Sequence, residues 1–214
     1  AGFSIVTYTG NFTATQTVGH GLGVYPDLVM IKNRSGANDW VVWTSELTSG
    51  NFLKLNTTAA QASSSRIYQN GYTTSTFGIG ANNTVNKNSN NYVAYCFNNV
   101  QGYSKFGKYV GNGNADGPFV YTGFKPAFVM IKNASAVTNW YMWDNKRNTY
   151  NVVNNGLNPN TSNATQGTAY DSLDFLSNGF KIRDYADGTW NGSGNTIIYM
   201  AFAESPFVTS TGIM

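Results

Sequence analysis

Few residues in this 214-residue chain carry groups that could do chemistry, and their spacing narrows what that chemistry could be. Asn112-x-Asn114-x-Asp116-Gly117 repeats the opening of a calcium loop, with oxygen ligands at alternate positions and glycine at the sixth. The twelfth position of such a loop should bring a bidentate glutamate. Here it is Gly123, so a strand-connecting turn is the better reading and no metal is expected. His20, the only histidine, stands in Val18-Gly19-His20-Gly21-Leu22-Gly23, where the glycines imply a tight turn. It has no Gly-x-Ser-x-Gly elbow, no cysteine near it and no second histidine, which excludes zinc enzymes and histidine-triad hydrolases. A glycosidase needs two carboxylates at a suitable separation; Asp144, Asp171, Asp174, Asp184, Asp187 and Glu204 supply material, but no pair stands out.

Trp190 is the aromatic residue that most needs an explanation. It lies in the polar, glycine-rich stretch from Asp184 to Gly194, which has no evident partner elsewhere in the chain. Either the ring folds back onto a core or it is presented for binding. With Tyr185 and Asp187 beside it, it forms the best glycan-contact candidate, and these three are the candidate ligand-binding residues. No catalytic residue and no cofactor is expected.

The elements that must position these groups come in two copies. Val29-Met30-Ile31-Lys32-Asn33 recurs at Val129 to Asn133, and Pro26, Trp40 and Trp43 recur at Pro126, Trp140 and Trp143, all one hundred residues on. A domain boundary near Gly102 divides the chain into residues 1–102 and 103–214, with no flexible linker between. Within each copy short apolar runs alternate with turn residues and no helical period is sustained. The predicted fold is all-β: two tandem, similar antiparallel β-sandwich units, jelly-roll-like, packed together.

The runs Phe3–Tyr8, Asp27–Lys32, Trp40–Thr44, Phe52–Leu55, Arg66–Gln69, Tyr72–Ile79 and Tyr92–Phe97 read as the strands of copy one. In copy two the strands read as Lys105–Val110, Phe119–Tyr121, Ala127–Lys132, Trp140–Trp143, Tyr150–Val153, Leu173–Leu176, Phe180–Arg183 and Ile197–Phe202. Leu28 to Ile31 and Phe128 to Ile131 are apolar at odd and even positions alike. This predicts a mid-sheet strand that emerges into water at Lys-Asn. Asn70-Gly71 and Asn178-Gly179 read as equivalent hairpin turns. Taking them as equivalent puts an insertion of about eight residues in copy two between Asn154 and Tyr170. Three residues apart on extended chain, the two tryptophans of each pair point to opposite faces, so they form no single platform.

Only 11% of residues are charged, under half the usual ~25%, so Asn, Thr, Ser and Gly must solubilise the surface. Thirteen Lys and Arg are scattered without a basic stripe, which argues against nucleic acid despite a net charge of +3. Cys96 is the only cysteine, in an apolar run, so no intrachain disulfide forms. No apolar run is long enough to span a bilayer and no signal segment opens the chain, so neither membrane insertion nor secretion is expected.

Longer runs carry a resemblance. Gly102-Tyr103-Ser104-Lys105-Phe106-Gly107-Lys108-Tyr109-Val110-Gly111-Asn112-Gly113 is followed by Asp116 to Phe124 and by Asn139-Trp140-Tyr141-Met142-Trp143-Asp144. Ser177 to Lys181 and Tyr199 to Phe207 complete the set. The chain resembles, over nearly all its length, a duplicated domain of tail-fibre and other virion proteins of tailed phages, particularly marine ones. That resemblance implies a non-enzymatic virion surface protein, assembled in the host cytoplasm as a homo-oligomer such as a trimer, with other virion proteins and a host surface glycan as partners. It supplies no catalytic residues. The run after Pro206-Phe207 is short, which suggests an appendage or capsid decoration as readily as a fibre tip. A purely architectural subunit and a glycan depolymerase are the alternatives.

Overall fold

The computed structural model describes residues 2–65, 67, 71–167, 172–183 and 189–206. The chain is all-β and antiparallel, and it forms two compact units, Ala1–Asn98 and Asn99–Met214. The division falls four residues before the sequence-based boundary because Val100 already pairs with Ser104 of the second unit.

Unit 1 carries β1 (Phe3–Thr9), β2 (Gln16–Gly19), β3 (Leu28–Asn33), β4 (Val41–Thr44), β5 (Asn51–Lys54), β6 (Ala62–Ser63), β7 (Thr76–Ile79), a single helical turn α1 (Asn83–Asn86) and β8 (Asn91–Phe97). Six strands form one sheet in the order β1-β8-β3-β4-β5-β6, and β2 pairs with β7 in a separate ribbon. The ribbon contributes Val18, Phe77 and Ile79 to a core shared with Val29, Ile31, Val41, Tyr92, Ala94 and Cys96 of the large sheet. Burial pushes the Cys96 thiol up to about 12, as suits a small apolar residue.

Unit 2 carries β9 (Ser104–Val110), β10 (Phe119–Tyr121), β11 (Pro126–Asn133), β12 (Trp140–Asp144), β13 (Asn155–Gly156), β14 (Gln166–Gly167), β15 (Leu173–Leu176), β16 (Gly179–Ile182) and β17 (Thr196–Ala203). A four-stranded sheet, β12-β11-β17-β9, and a three-stranded one, β10-β16-β15, enclose a core of Val129, Ile131, Trp143, Leu173, Phe180, Ile197 and Tyr199. The duplicated strand is central in both units, β3 between β8 and β4 and β11 between β17 and β12, with both faces buried over Leu28 to Ile31.

Several expected elements differ. Tyr150–Val153 is not a strand; only Val153 bridges to Leu173. Tyr72–Ile79 folds on itself, Tyr72 pairing with Phe77 around a turn whose Thr73 hydroxyl accepts the backbone N–H groups of Ser75 and Thr76. Of the predicted strand Arg66–Gln69 only Ile67 lies within the described residues, as does Gly71 but not Asn70.

The Lys-Asn ending of the repeated strand does not emerge into water. Lys132 is fully buried, its ammonium donating to Thr138 O at 2.9 Å, Ala136 O at 3.3 Å and Thr138 Oγ1 at 3.3 Å. The Lys32 ammonium likewise donates to Asn38 O. Asn33 and Asn133 are 1% exposed, and their Oδ1 atoms accept the N–H of Ser35 and of Ser135 at 2.9 Å. The repeated pair is a device that folds the following loop back over the strand end and satisfies its backbone.

Pairing register corrects the alignment of the copies. Val18 pairs with Phe77 and Val120 with Phe180, so β7 matches β16 at an offset of 103. Asn178-Gly179 therefore corresponds to Ser75-Thr76 and not to Asn70-Gly71. Gly179 is demanded by close approach, since an added Cβ would lie 2.2 Å from Val120 O. Asn56 Oδ1 accepts Trp40 N–H and Asn160 Oδ1 accepts Trp140 N–H, both at 2.9 Å, which gives an offset of 160 − 56 = 104. The offset of 100 at the tryptophans thus grows by four before Asn160, and the connection from β12 to β13, Asn145 to Asn154, is where copy two is longer.

Candidate functional site

Trp190 is core. It is 1% exposed, edge-on to Trp143 at 5.1 Å and to Tyr141 at 4.2 Å, and its carbonyl accepts the Tyr109 hydroxyl at 2.8 Å. In unit 1 the Tyr8 hydroxyl donates to Val85 O at 2.7 Å, so Trp190 is the counterpart of buried Val85. The neighbouring asparagines agree. Asn86 Oδ1 accepts the N–H of Asn11, and Asn191 Oδ1 that of Asn112, each at 2.9 Å, and both acceptors are fully buried. Thr84-Val85-Asn86 and Thr189-Trp190-Asn191 are one repeated motif. The expectation that Trp190 presents a ring for contact is therefore corrected: a ring sealed in the core offers no face to a glycan. Tyr185 and Asp187 lie outside the described residues.

The other expected features resolve locally. His20 is fully buried as a turn residue, its Nδ1 accepting Leu22 N–H at 3.2 Å, which leaves the proton on Nε2 to reach Thr73 O at 3.1 Å. Asn112 Oδ1 accepts Asn114 N–H and Asn114 Oδ1 accepts Asp116 N–H, both at 3.0 Å, so this stretch is a chain of side-chain-capped turns. Trp140 and Trp143 are both 1% exposed, but only Trp143 belongs to the inner cluster.

The lengthened loop of copy two builds a cleft that the sequence did not point to. Asp144 starts it: Oδ1 accepts the N–H of Lys146 and Arg147 at 2.9 Å, and Oδ2 receives Arg147 Nε at 2.8 Å. Burial raises the Asp144 carboxyl, but the two N–H donors and the guanidinium outweigh it and hold the group below the usual carboxylate range. Asn151 closes the loop by gripping the β15 backbone, donating to Phe175 O and accepting Phe175 N–H, each at 2.9 Å. Between these anchors Thr149 and Tyr150 stand out in solvent, Tyr150 85% exposed.

Opposite them Lys125 and Glu204 pair at 2.7 Å, and Asn145 Nδ2 donates to Glu204 Oε1 at 2.7 Å. Together with Asn148 these residues enclose a cleft of about 220 Å³ floored by Val153 and Phe175. Its walls carry amide and hydroxyl groups beside apolar surface, with one ion pair of no net charge. Copy one places Tyr25, Thr44 and Ser45 where copy two has Lys125, Asp144 and Asn145.

Asp39, Asp116 and Asp144 are all held below the usual carboxylate range, Asp39 and Asp116 chiefly through lysine partners. Among the described residues no group of three His, Cys, Asp or Glu side chains converges, and no helix is long and apolar enough to cross a membrane.

None of the curated proteins matches the chain. Among solved structures, the crystal structure of the STIV MCP aligns over 97% of this chain and 98% of its own at 8% identity, with a TM-score of 0.30. Residues 1–206 match the family described as Domain of unknown function (DUF7483), and the chain belongs to that family.

Proposed function

We propose that this protein is a non-enzymatic structural component of a phage virion surface, a tail fibre or appendage subunit that attaches to a neutral glycan of the host surface. The observation that carries the binding half of the reading is the cleft walled by Asn145, Asn148, Thr149 and Tyr150. It is walled by the connection that is longer in the second copy of a duplicated scaffold. Thr149 and Tyr150 keep their hydroxyls free of intramolecular bonds among the described residues, and the Lys125–Glu204 pair offers both donors and acceptors without net charge. The virion half rests on the resemblance over Gly102 to Gly113, Asp116 to Phe124 and Tyr199 to Phe207, and on a weakly charged surface suited to packing in repeated copies. The pairing of the described acids within turns and salt bridges supports the non-enzymatic reading.

Immunogold labelling of phage particles and a glycan array test the two halves. Surface label together with binding that Tyr150→Ala weakens is the expected result. Label without any glycan binding leaves a purely architectural subunit, and release of new reducing ends from host polysaccharide makes the protein a depolymerase.

A further inference from the structure

Strand β10 carries a feature that its counterpart in copy one lacks. Val120 and Val18 are each 6% exposed and pair with the equivalent residues Phe180 and Phe77, which fixes the register between the two strands. At the flanking outward positions copy one has Thr17 and Gly19, whereas copy two has Phe119 and Tyr121. The fold therefore does not require aromatic residues there. Yet Phe119 is 46% exposed and Tyr121 65%, and among the described residues neither ring meets another aromatic side chain.

Both rings lie against glycine. A Cβ on Gly179 would sit 2.9 Å from Phe119 Cζ, and one on Gly123 would sit 3.6 Å from the Tyr121 hydroxyl. Phe119 thus lies over bare backbone at Gly179 and the hydroxyl edge of Tyr121 over Gly123, and both side chains stay open to solvent. Two positions along a strand place their Cα atoms about 6.6–6.8 Å apart, with both side chains on one side of the sheet. Beside them Lys181 pairs with Asp116 at 2.8 Å and Arg183 with Asp174 at 2.6 Å, two cations against two carboxylates.

We infer that Phe119 and Tyr121 form a stacking platform for successive rings of a neutral oligosaccharide, with the Asp116–Lys181 pair supplying hydrogen bonds at its rim. This rests on the glycan-attachment reading and adds a second contact to the cleft. A sugar fits because the C–H face of a pyranose is weakly positive and complements the negative face of an aromatic ring. The balanced charges select no net charge in the ligand.

The test is titration calorimetry of the full chain with short neutral oligosaccharides of glucose, galactose, mannose and their N-acetylated forms. Phe119→Thr/Tyr121→Gly restores the residues copy one already carries on this strand. With the chain still unfolding cooperatively well above the assay temperature, it is expected to weaken binding about tenfold or more. The reverse graft, Thr17→Phe/Gly19→Tyr with Thr76→Gly, is expected to add a second binding site per chain, since a Cβ at Gly19 meets nothing closer than Ser75 O at 3.9 Å. Wild-type binding that the double substitution leaves untouched, while Tyr150→Ala abolishes it, overturns the platform and leaves attachment at the cleft. Absence of binding by the wild type, to these sugars and to host polysaccharide alike, overturns both.

Discussion

The two copies spend the same residues on holding their shape and different residues on what they show to solvent. Tyr8 and Tyr109 reach to the carbonyls of Val85 and Trp190; Asn86 and Asn191 bind the N–H groups of Asn11 and Asn112; Lys32 and Lys132 donate to the carbonyls of Asn38 and Thr138. These bonds join strand ends to loops, so they survive changes in loop length. What differs is the lengthened connection after β12 and the aromatic pair on β10, both confined to copy two and both at the surface. A duplicated scaffold supplies its own control: a position shared by both copies serves the fold, and one that only copy two has filled is free to serve recognition.

The largest effect is expected at Trp190. Trp190→Ala empties a core site shared with Trp143 and Tyr141 and should cost about 3–5 kcal/mol in denaturant unfolding. Val85→Ala, at the matching site, removes far less volume and should cost about 1–3 kcal/mol. If Trp190→Ala cost under about 1 kcal/mol, the ring would not be core and the pairing with Val85 would break.

Next come the buried asparagines. Asn191 accepts Asn112 N–H and donates to Asn114 O at 2.6 Å; Asn86 accepts Asn11 N–H and donates to Thr13 O at 3.1 Å. Alanine at either position leaves two groups unpaired, so each substitution should destabilise by about 2–3 kcal/mol. Equal losses measured by urea titration would confirm a shared lock, and a several-fold difference would show that one copy has abandoned it.

The fold was legible where burial leaves a mark in composition. The doubly apolar run Leu28 to Ile31 could only be a central strand, and it is. Strand β2 left no such mark, because only Val18 of Gln16–Gly19 turns inward. The lysines that end β3 and β11 misled for a different reason: their charge is satisfied by carbonyls of the next loop, and a sequence shows no sign of that satisfaction. Trp190 was misread because Val85 hides its kinship. The signal was present in Thr-x-Asn at 84–86 and 189–191, an offset of 105 that also relates Phe97 to Phe202. The cleft was illegible because its walls are ordinary loop residues, made into a site only by the turns that Asp144 and Asn151 impose.

Lys132 sharpens the comparison through pH. Burial lowers its ammonium to about 8, against about 10.4 for an exposed lysine. Below pH 8 both folded and unfolded chains carry the proton and the cost of burying the charge is fully felt. Between about 8 and 10.4 the unfolded chain holds more protons than the folded one, so this residue makes stability rise with pH there. The rise should be on the order of 1–3 kcal/mol relative to Lys132→Met. A difference between the two proteins that stays flat from pH 7 to pH 10 would mean that the carbonyls of Ala136 and Thr138 hold the charge as well as water does.

The smallest effect on stability is expected at the cleft, and the contrast with the locks is informative for that reason. Lys125 and Glu204 pair at 2.7 Å with side chains 51% and 34% exposed. Exposed pairs contribute at most about 1 kcal/mol. Glu204→Gln keeps an oxygen to accept from Asn145 Nδ2 and loses only the pairing with Lys125. The coupling in a double-substitution cycle with Lys125→Met should be about 0.2–1 kcal/mol and should shrink as salt is raised, because the pair is open to solvent. A coupling of several kcal/mol, insensitive to salt, would make this pair a structural element like the asparagine locks. A small coupling means that the fold does not need it, in contrast to the asparagine locks.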